Sequence, residues 1–145
     1  MAKARYLYPC EIEADEDGWL VVRFPDLPEA LTGAPSRAEA LAEAVDCLEE
    51  ALAARILDRR AVPAPSAAKG RPTVAPGALM VAKAALFEAA RDAGLGPSQL
   101  AVRLGVQETE ARRMLHPRHA TKIGRLEAAL AALGKRIVVS VEPAA

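Results

Sequence analysis

Aromatic side chains are scarce in this chain. They make up 3% of its 145 residues: one tryptophan, two tyrosines and two phenylalanines. The core must therefore be built from leucine, valine and alanine, within a hydrophobic content of 52%, in one medium domain or two small ones. Cys10 and Cys47 make no metal-ligand or redox spacing. They read as small buried or half-buried residues of a reducing cytosol. No run of 18 apolar residues suggests a membrane span. Met1-Ala2-Lys3 leads straight into a strand pattern, so no signal peptide is expected. These absences point to a cytoplasmic protein with no cofactor, no metal and no membrane partner. No His–Ser or Cys–His arrangement suggests an enzyme.

Net charge is also lacking, at +0, but the zero hides an asymmetry. Residues 1–60 carry 7 basic and 13 acidic side chains, a net of −6; residues 61–145 carry 12 basic and 6 acidic, a net of +6. Such a split implies two modules with different partners. The basic half suits phosphate, and the acidic half attracts a basic protein.

The periodicity of residues 5–13 is two, with Tyr6, Tyr8, Cys10 and Ile12 on one face. Pro9 cannot donate to a ladder, which makes this an edge strand. Asp15-Glu16-Asp17-Gly18 is a turn, and residues 19–24 return as the second strand of a hairpin. The three acids lack the ligand pattern of a calcium loop and read as a solvated tip. Two prolines in F-P-D-L-P-E-A-L-T-G, residues 24–33, fix a turning path. Leu31-Thr32-Gly33 is a candidate third strand. Ser36-Arg37-Ala38-Glu39 is a capping box. It opens a helix over about residues 37–60 with Leu41, Val45, Leu48, Leu52 and Ile56 as its buried stripe. Residues 62–77 hold four prolines and two glycines and read as a linker, in which Thr73-Val74-Ala75 could join the sheet. These features divide the chain into a first domain at 1–61, a linker at 62–77 and a second domain at 78–145.

The second domain reads as all-α. Residues 79–93 form a helix with Leu79, Ala82, Leu86, Ala89 and Ala90 inward, ended by Gly94-Leu95. Residues 97–116 then have the spacing of a DNA-binding helix-turn-helix. Leu100, Ala101 and Leu104 line the first helix, Gly105 makes the sharp turn, and Val106 plugs it. Ala111, Met114 and Leu115 line the second helix. The outer residues are polar. Gln107, Thr109, Arg112 and Arg113 are base-edge candidates, whereas Ser98, Arg118, Thr121 and Lys122 suit phosphate. Glu108 could accept from cytosine or pair with Arg112 four residues on. Residues 97–122 carry a net +3. His116-Pro117 breaks the helix, and Thr121 can cap a last one with Ile123, Leu126, Leu130 and Leu133 inward. Gly134 stops it.

Residues 136–141 then read as a lone strand, R-I-V-V-S-V. A lone strand leaves its hydrogen bonds unmade, so it needs the first domain's sheet or its own copy in another subunit. The second choice makes Ile137, Val138, Val139, Ser140 and Val141 a dimerisation strand, and it supplies the paired reading heads that an operator requires. The expected fold class is thus α+β: a small antiparallel sheet packed on one long helix, followed by a helix-turn-helix domain with a C-terminal dimerisation strand.

Asp17-Gly18, the strand ending Phe24-Pro25-Asp26-Leu27-Pro28, Thr32 and the helix around Glu39-Ala40-Leu41 together resemble the HicB family of antitoxins. The later runs L-A-V-R-L-G-V, H-P-R-H-A-T and A-L-A-A-L-G-K-R-I-V-V-S-V look like the version of that family with a helix-turn-helix. Members often have Gly-Cys after F-P-D-L-P, and this chain has Glu29-Ala30. The resemblance implies a partial, degenerate RNase H-like fold without nuclease activity. It also implies a HicA-type mRNA-cleaving ribonuclease toxin as partner, neutralised by occlusion, and repression of the chain's own operon. On that reading Trp19, Phe24, Asp26, Leu27, Glu29 and Glu43 are candidate toxin contacts. Sheet packing is the competing role for Trp19 and Phe24, and a solvated face for the helix acids. An active RNase H-like enzyme would need clustered carboxylates for Mg²⁺, which this pattern does not offer. An orphan transcription regulator, whose first domain senses something else or binds another protein, is the alternative function.

Overall fold

The computed structural model describes residues 6–143. The chain is α+β, and it divides into two compact units between Val81 and Ala82.

In the first unit, the expected strand over 5–13 is broken in two; residue 5 lies outside the described residues. Strand β1 (Tyr8–Pro9) and β2 (Glu11–Ala14) are separated by Cys10, whose N–H donates to the Pro72 carbonyl. Strand β3 (Leu20–Arg23) pairs antiparallel with β2, and β4 (Leu31–Ala34) pairs with β3 on its other side. The β2–β3 turn is built by Asp15. Its Oδ1 accepts from the Asp17 and Trp19 N–H groups, both at 2.9 Å, and Gly18 takes the left-handed φ of 80° that closes the loop. The acids at this tip thus shape a turn, as the sequence led us to expect. The F-P-D-L-P run forms two successive turns, Leu27 N–H to Phe24 O and Ala30 N–H to Leu27 O. They drive Phe24, Leu27 and Ala30 into the core.

Helix α1 (Arg37–Leu57) starts where the Ser36 hydroxyl accepts from the Glu39 N–H at 3.2 Å, the serine half of the expected capping box. It packs against β3 and β4. Its buried stripe differs from expectation: Ala40, Ala44, Leu48, Ala51, Ala53, Leu52 and Ile56 are buried, and Leu41 and Val45 only half so. The helix is rotated to place its small alanines inward, because a methyl lets the helix backbone approach the sheet. Leu48, Leu52 and Ile56 stay in the buried stripe as expected, and Leu41 and Val45 fall to its flanks.

Residues 62–77, expected as a linker, lie along this first unit. The Tyr8 hydroxyl donates to Pro63 O at 2.7 Å. Ser66 binds the Asp26 carboxylate through both its N–H and its hydroxyl. Strand β5 (Thr73–Val74) pairs antiparallel with β1, putting Tyr8 opposite Val74 and Pro9 opposite Thr73. The Gly77 N–H donates to Glu49. Proline in such a run sets a path; here hydrogen bonds pin that path in place.

The remaining helices are α2 (Ala78–Asp92), α3 (Pro97–Leu104), α4 (Glu108–Leu115) and α5 (Ile123–Ala132), and the division between the units falls within α2. Gly94 ends α2 with φ 70°, and the Leu95 N–H reaches back to Ala90 O. In the second unit Ala90, Leu100, Ala101 and Ala111 form a buried cluster, with Leu95, Leu104, Val106, Leu115 and Leu133 packed on it. Thr121 does not cap α5; Lys122 holds the N-cap position. The two sheets are made of β1 to β5 alone among the described residues, so residues 136–141 pair with neither. Val138, Val139 and Val141 are exposed.

Candidate functional site

The basic site is built on α3 and α4. Pro97 is the first residue of α3, where its missing N–H costs nothing. The Gln99 side chain accepts from the Gly96 N–H at 2.8 Å, a cap that sequence reasoning missed. Gly105 ends the helix in the left-handed region, at φ 68° and ψ 33°. The Val106 N–H then bonds Ala101 O at 3.0 Å, closing the turn. Ala101 and Ala111 are buried at the crossing, so α3 and α4 meet through methyl groups.

This geometry turns one face of α4 outward. Gln107, Glu108, Thr109, Arg112 and Arg113 are exposed, as their spacing predicted. Glu108 and Arg112 are joined: one carboxylate oxygen of Glu108 accepts from Arg112 Nη2 at 2.5 Å and from Nε at 3.0 Å. Bonds from Arg112 first, and from the Ser98 hydroxyl second, hold the Glu108 carboxyl below its ordinary pKa. The structure thus brings Ser98, Glu108 and Arg112 together, and of the two partners considered for Glu108 it selects arginine. Arg118 and Lys122 are exposed beyond the end of α4. Glu110, which had no assigned role, pairs with Arg125 of α5.

Thr121 corrects the sequence reading. It is 8% exposed, and its hydroxyl is occupied by Lys83, His119 and the Arg113 carbonyl. It is not available as a phosphate clamp. Its buried partner Lys83 was missed altogether. Leu79, Lys83, Leu86 and Ala90 share one helical stripe, so the spacing could have shown that a lysine stands on the inner face. Polarity alone argued against it.

The acidic unit presents a different surface. Phe24 and Leu27, expected as partner contacts, are 1% and 0% exposed; the paired turns of F-P-D-L-P bury them. Asp26 is held by Ser66. Glu29 is exposed but bound to Arg55 by two bonds, at 2.5 and 2.9 Å. The Arg55 guanidinium keeps its carboxyl below the usual range. Glu43 is exposed on α1. Trp19 is 47% exposed, and its indole lies so close over Gly33 that a Cβ there would sit 2.6 Å from Nε1. The register sets Glu13, Val21 and Gly33 in one row and Glu11, Arg23 and Leu31 in the next. Leu31 is 53% exposed, so this outer sheet face mixes apolar side chains with acids.

Burial raises the thiol pKa of both Cys10 and Cys47, which suits structural rather than reactive roles. Among the described residues no group of three or more His, Cys, Asp or Glu is placed to hold a metal. None of the described helices is long and apolar enough to cross a membrane.

A family model describing HicB-like antitoxins of bacterial toxin–antitoxin systems matches residues 7–85. Antitoxin HicB 2 of Photorhabdus laumondii is 42% identical over 130 residues, 90% of this chain and 92% of that protein. Antitoxin HicB of Pseudomonas fluorescens is 34% identical over 139 residues, 94% of each chain. Antitoxin HicB of Escherichia coli K12 is 34% identical over 131 residues, 90% of this chain and 95% of its own. The chain therefore belongs to the HicB-like antitoxin family. The family and these relatives are described as antitoxins, not as enzymes.

Proposed function

We propose that this chain is a cytoplasmic antitoxin that neutralises a HicA-type mRNA-cleaving ribonuclease by occlusion and represses its own operon through α3 and α4 acting as a helix-turn-helix. The observation that carries the DNA half is the exposed row Gln107, Thr109, Arg112 and Arg113 on a helix whose other face is buried. Gln107, Thr109 and Arg113 are offered directly to base edges. Arg112 reaches DNA only by leaving Glu108. Ser98, Arg118 and Lys122 suit phosphates, and Thr121 drops out. Ile137 to Val141, pairing with their copy in a second chain, would give the dimer that an inverted-repeat operator requires.

The toxin half rests on family membership together with the net −6 of residues 1–60. A protein that grips RNA carries basic surface, which this unit would attract. We read the first unit as partial, degenerate RNase H-like, its meander and long helix serving as a docking body. Trp19, Leu31 and Glu43 are the contacts that exposure favours; Asp26 and Glu29 would have to leave Ser66 and Arg55 first.

A gel shift of the full chain on its own promoter, with and without the co-expressed neighbouring protein, tests both halves. The reading expects specific retardation that weakens with salt, and a small basic protein that co-purifies. Promoter binding with no toxin partner would favour an orphan regulator. Binding indifferent to promoter sequence would count against α4 as a reading helix.

A further inference from the structure

Lys83 is 0% exposed in an otherwise apolar stretch of α2, between Ala82 and Ala84 and one turn from Leu86, all buried. Its ammonium donates to Arg113 O and to Thr121 Oγ1, each at 2.7 Å. The Thr121 hydroxyl also lies 3.3 Å from Arg113 O, as donor, and 2.9 Å from His119 Nδ1. Four positions on α2, α4 and the turn after α4 thus share one polar knot, with the buried Lys83–Thr121 bond at its centre.

Stability alone does not account for a lysine here. Burying an ammonium costs more than burying the leucine or methionine that would fill the same space. Desolvation accordingly lowers its pKa to about 8. No carboxylate is among its hydrogen-bond partners. The atoms that it meets explain its use. Helix α4 has eight residues, about two turns, too short to hold its shape unaided. At its end the His116 N–H is shared between the Arg112 and Arg113 carbonyls, at 2.9 and 3.2 Å, and a cation there is favoured by the helix dipole. Arg113 belongs to the outward row of α4, and Arg118 and Lys122 flank the turn that Thr121 anchors.

We propose that Lys83 is a positioning residue for DNA recognition, a buried brace that fixes the end of α4 and the basic turn after it in one arrangement. The brace rests on the reading of α4 as a DNA-recognition helix. Its effect on DNA is indirect: Lys83 touches no nucleic acid and sets where Arg113, Arg118 and Lys122 stand.

The test uses the full chain carrying Lys83→Met, which keeps the length and removes the donors, and Thr121→Val, which keeps the ammonium and removes one acceptor. Amide hydrogen exchange is followed by NMR alongside promoter affinity. The brace predicts cooperative melting close to that of the wild type. It predicts about tenfold faster exchange at the His116 and Thr121 amides but not in α3, and about tenfold weaker promoter binding. Thr121→Val should shift both readouts in the same direction, and adding it to Lys83→Met should change little more. Unchanged exchange at His116 and Thr121 in both variants overturns the brace, as does promoter affinity within twofold of wild type alongside altered exchange. Should the wild type itself fail to bind its promoter, the DNA reading falls, and with it the role of Lys83 in recognition; exchange then still separates a local brace from a residue without one.

Discussion

The two units use charge in opposite ways. In the first, charged side chains tie distant segments together around the core: Arg55 to Glu29, Arg71 to Glu11, Glu49 to the Gly77 amide, Asp26 to Ser66. In the second, Arg112, Arg113, Arg118 and Lys122 stand exposed on α4 and the turn after it, and Lys83 is instead placed inside. The first unit needs its charges to hold a long proline-rich return against the sheet. The second ties the end of a short helix to a buried lysine and leaves the other face of that helix exposed.

That contrast can be broken most forcefully through the cores. Leu48→Ala, at a site 0% exposed between α1 and the sheet, should cost about 2–5 kcal/mol. Denaturant unfolding followed at Trp19, which belongs to the first unit, would read the loss. An unchanged midpoint would mean that α1 is not the keel of that unit.

A second test is acid–base and concerns the inside lysine. The pKa of Lys83 falls from 10.5 to about 8 on folding, so between those values the unfolded chain holds more protons. Stability should therefore rise with pH from about 8 towards 10.5, by at most about 1.4 kcal/mol per pH unit. Lys83→Met should flatten that rise, and thermal melts at stepped pH would show it.

The outer face is sharpened by Arg112→Ala. If this arginine reads a base, promoter binding should weaken by about 1–3 kcal/mol at one operator position. Uniform weakening across operator variants would assign it to phosphate instead. Gly105→Ala comes next. Its φ of 68° should make the methyl cost about 1–2 kcal/mol, read as a lowered melting temperature. The smallest effect is expected at the surface ion pair of the first unit. Because Arg55 lowers the Glu29 pKa, that pair contributes stability above the ordinary glutamate pKa of 4.5, lost as pH falls through the lowered value. Glu29→Gln should slightly flatten the acid limb of the stability curve and leave neutral-pH promoter binding unchanged.

Much of the second unit was legible because its signals are local. Gly94, Gly105 and Gly134 all adopt positive φ where helix endings were expected, and the α4 periodicity separated inner from outer residues. Strand boundaries and contacts in the first unit were less legible. Phe24 and Leu27 look like an exposed loop beside two prolines, yet the paired turns bury them. Asp26 and Glu29 look like free acids, but their partners lie 40 and 26 residues away. No local pattern encodes a partner at that distance.

By itself, then, the sequence determined the α+β class, the order of the helices, the −6 and +6 halves, and the outward row on α4. These follow from composition, from periodicity and from glycine's freedom at positive φ. Only the tertiary structure decided that residues 62–77 bind back onto the first unit, that α1 turns its alanines inward, and that Thr121 and Lys83 meet inside. Those outcomes depend on which distant backbone groups come within hydrogen-bond reach once the chain has closed on itself. A buried polar group can be tolerated only when such partners are present.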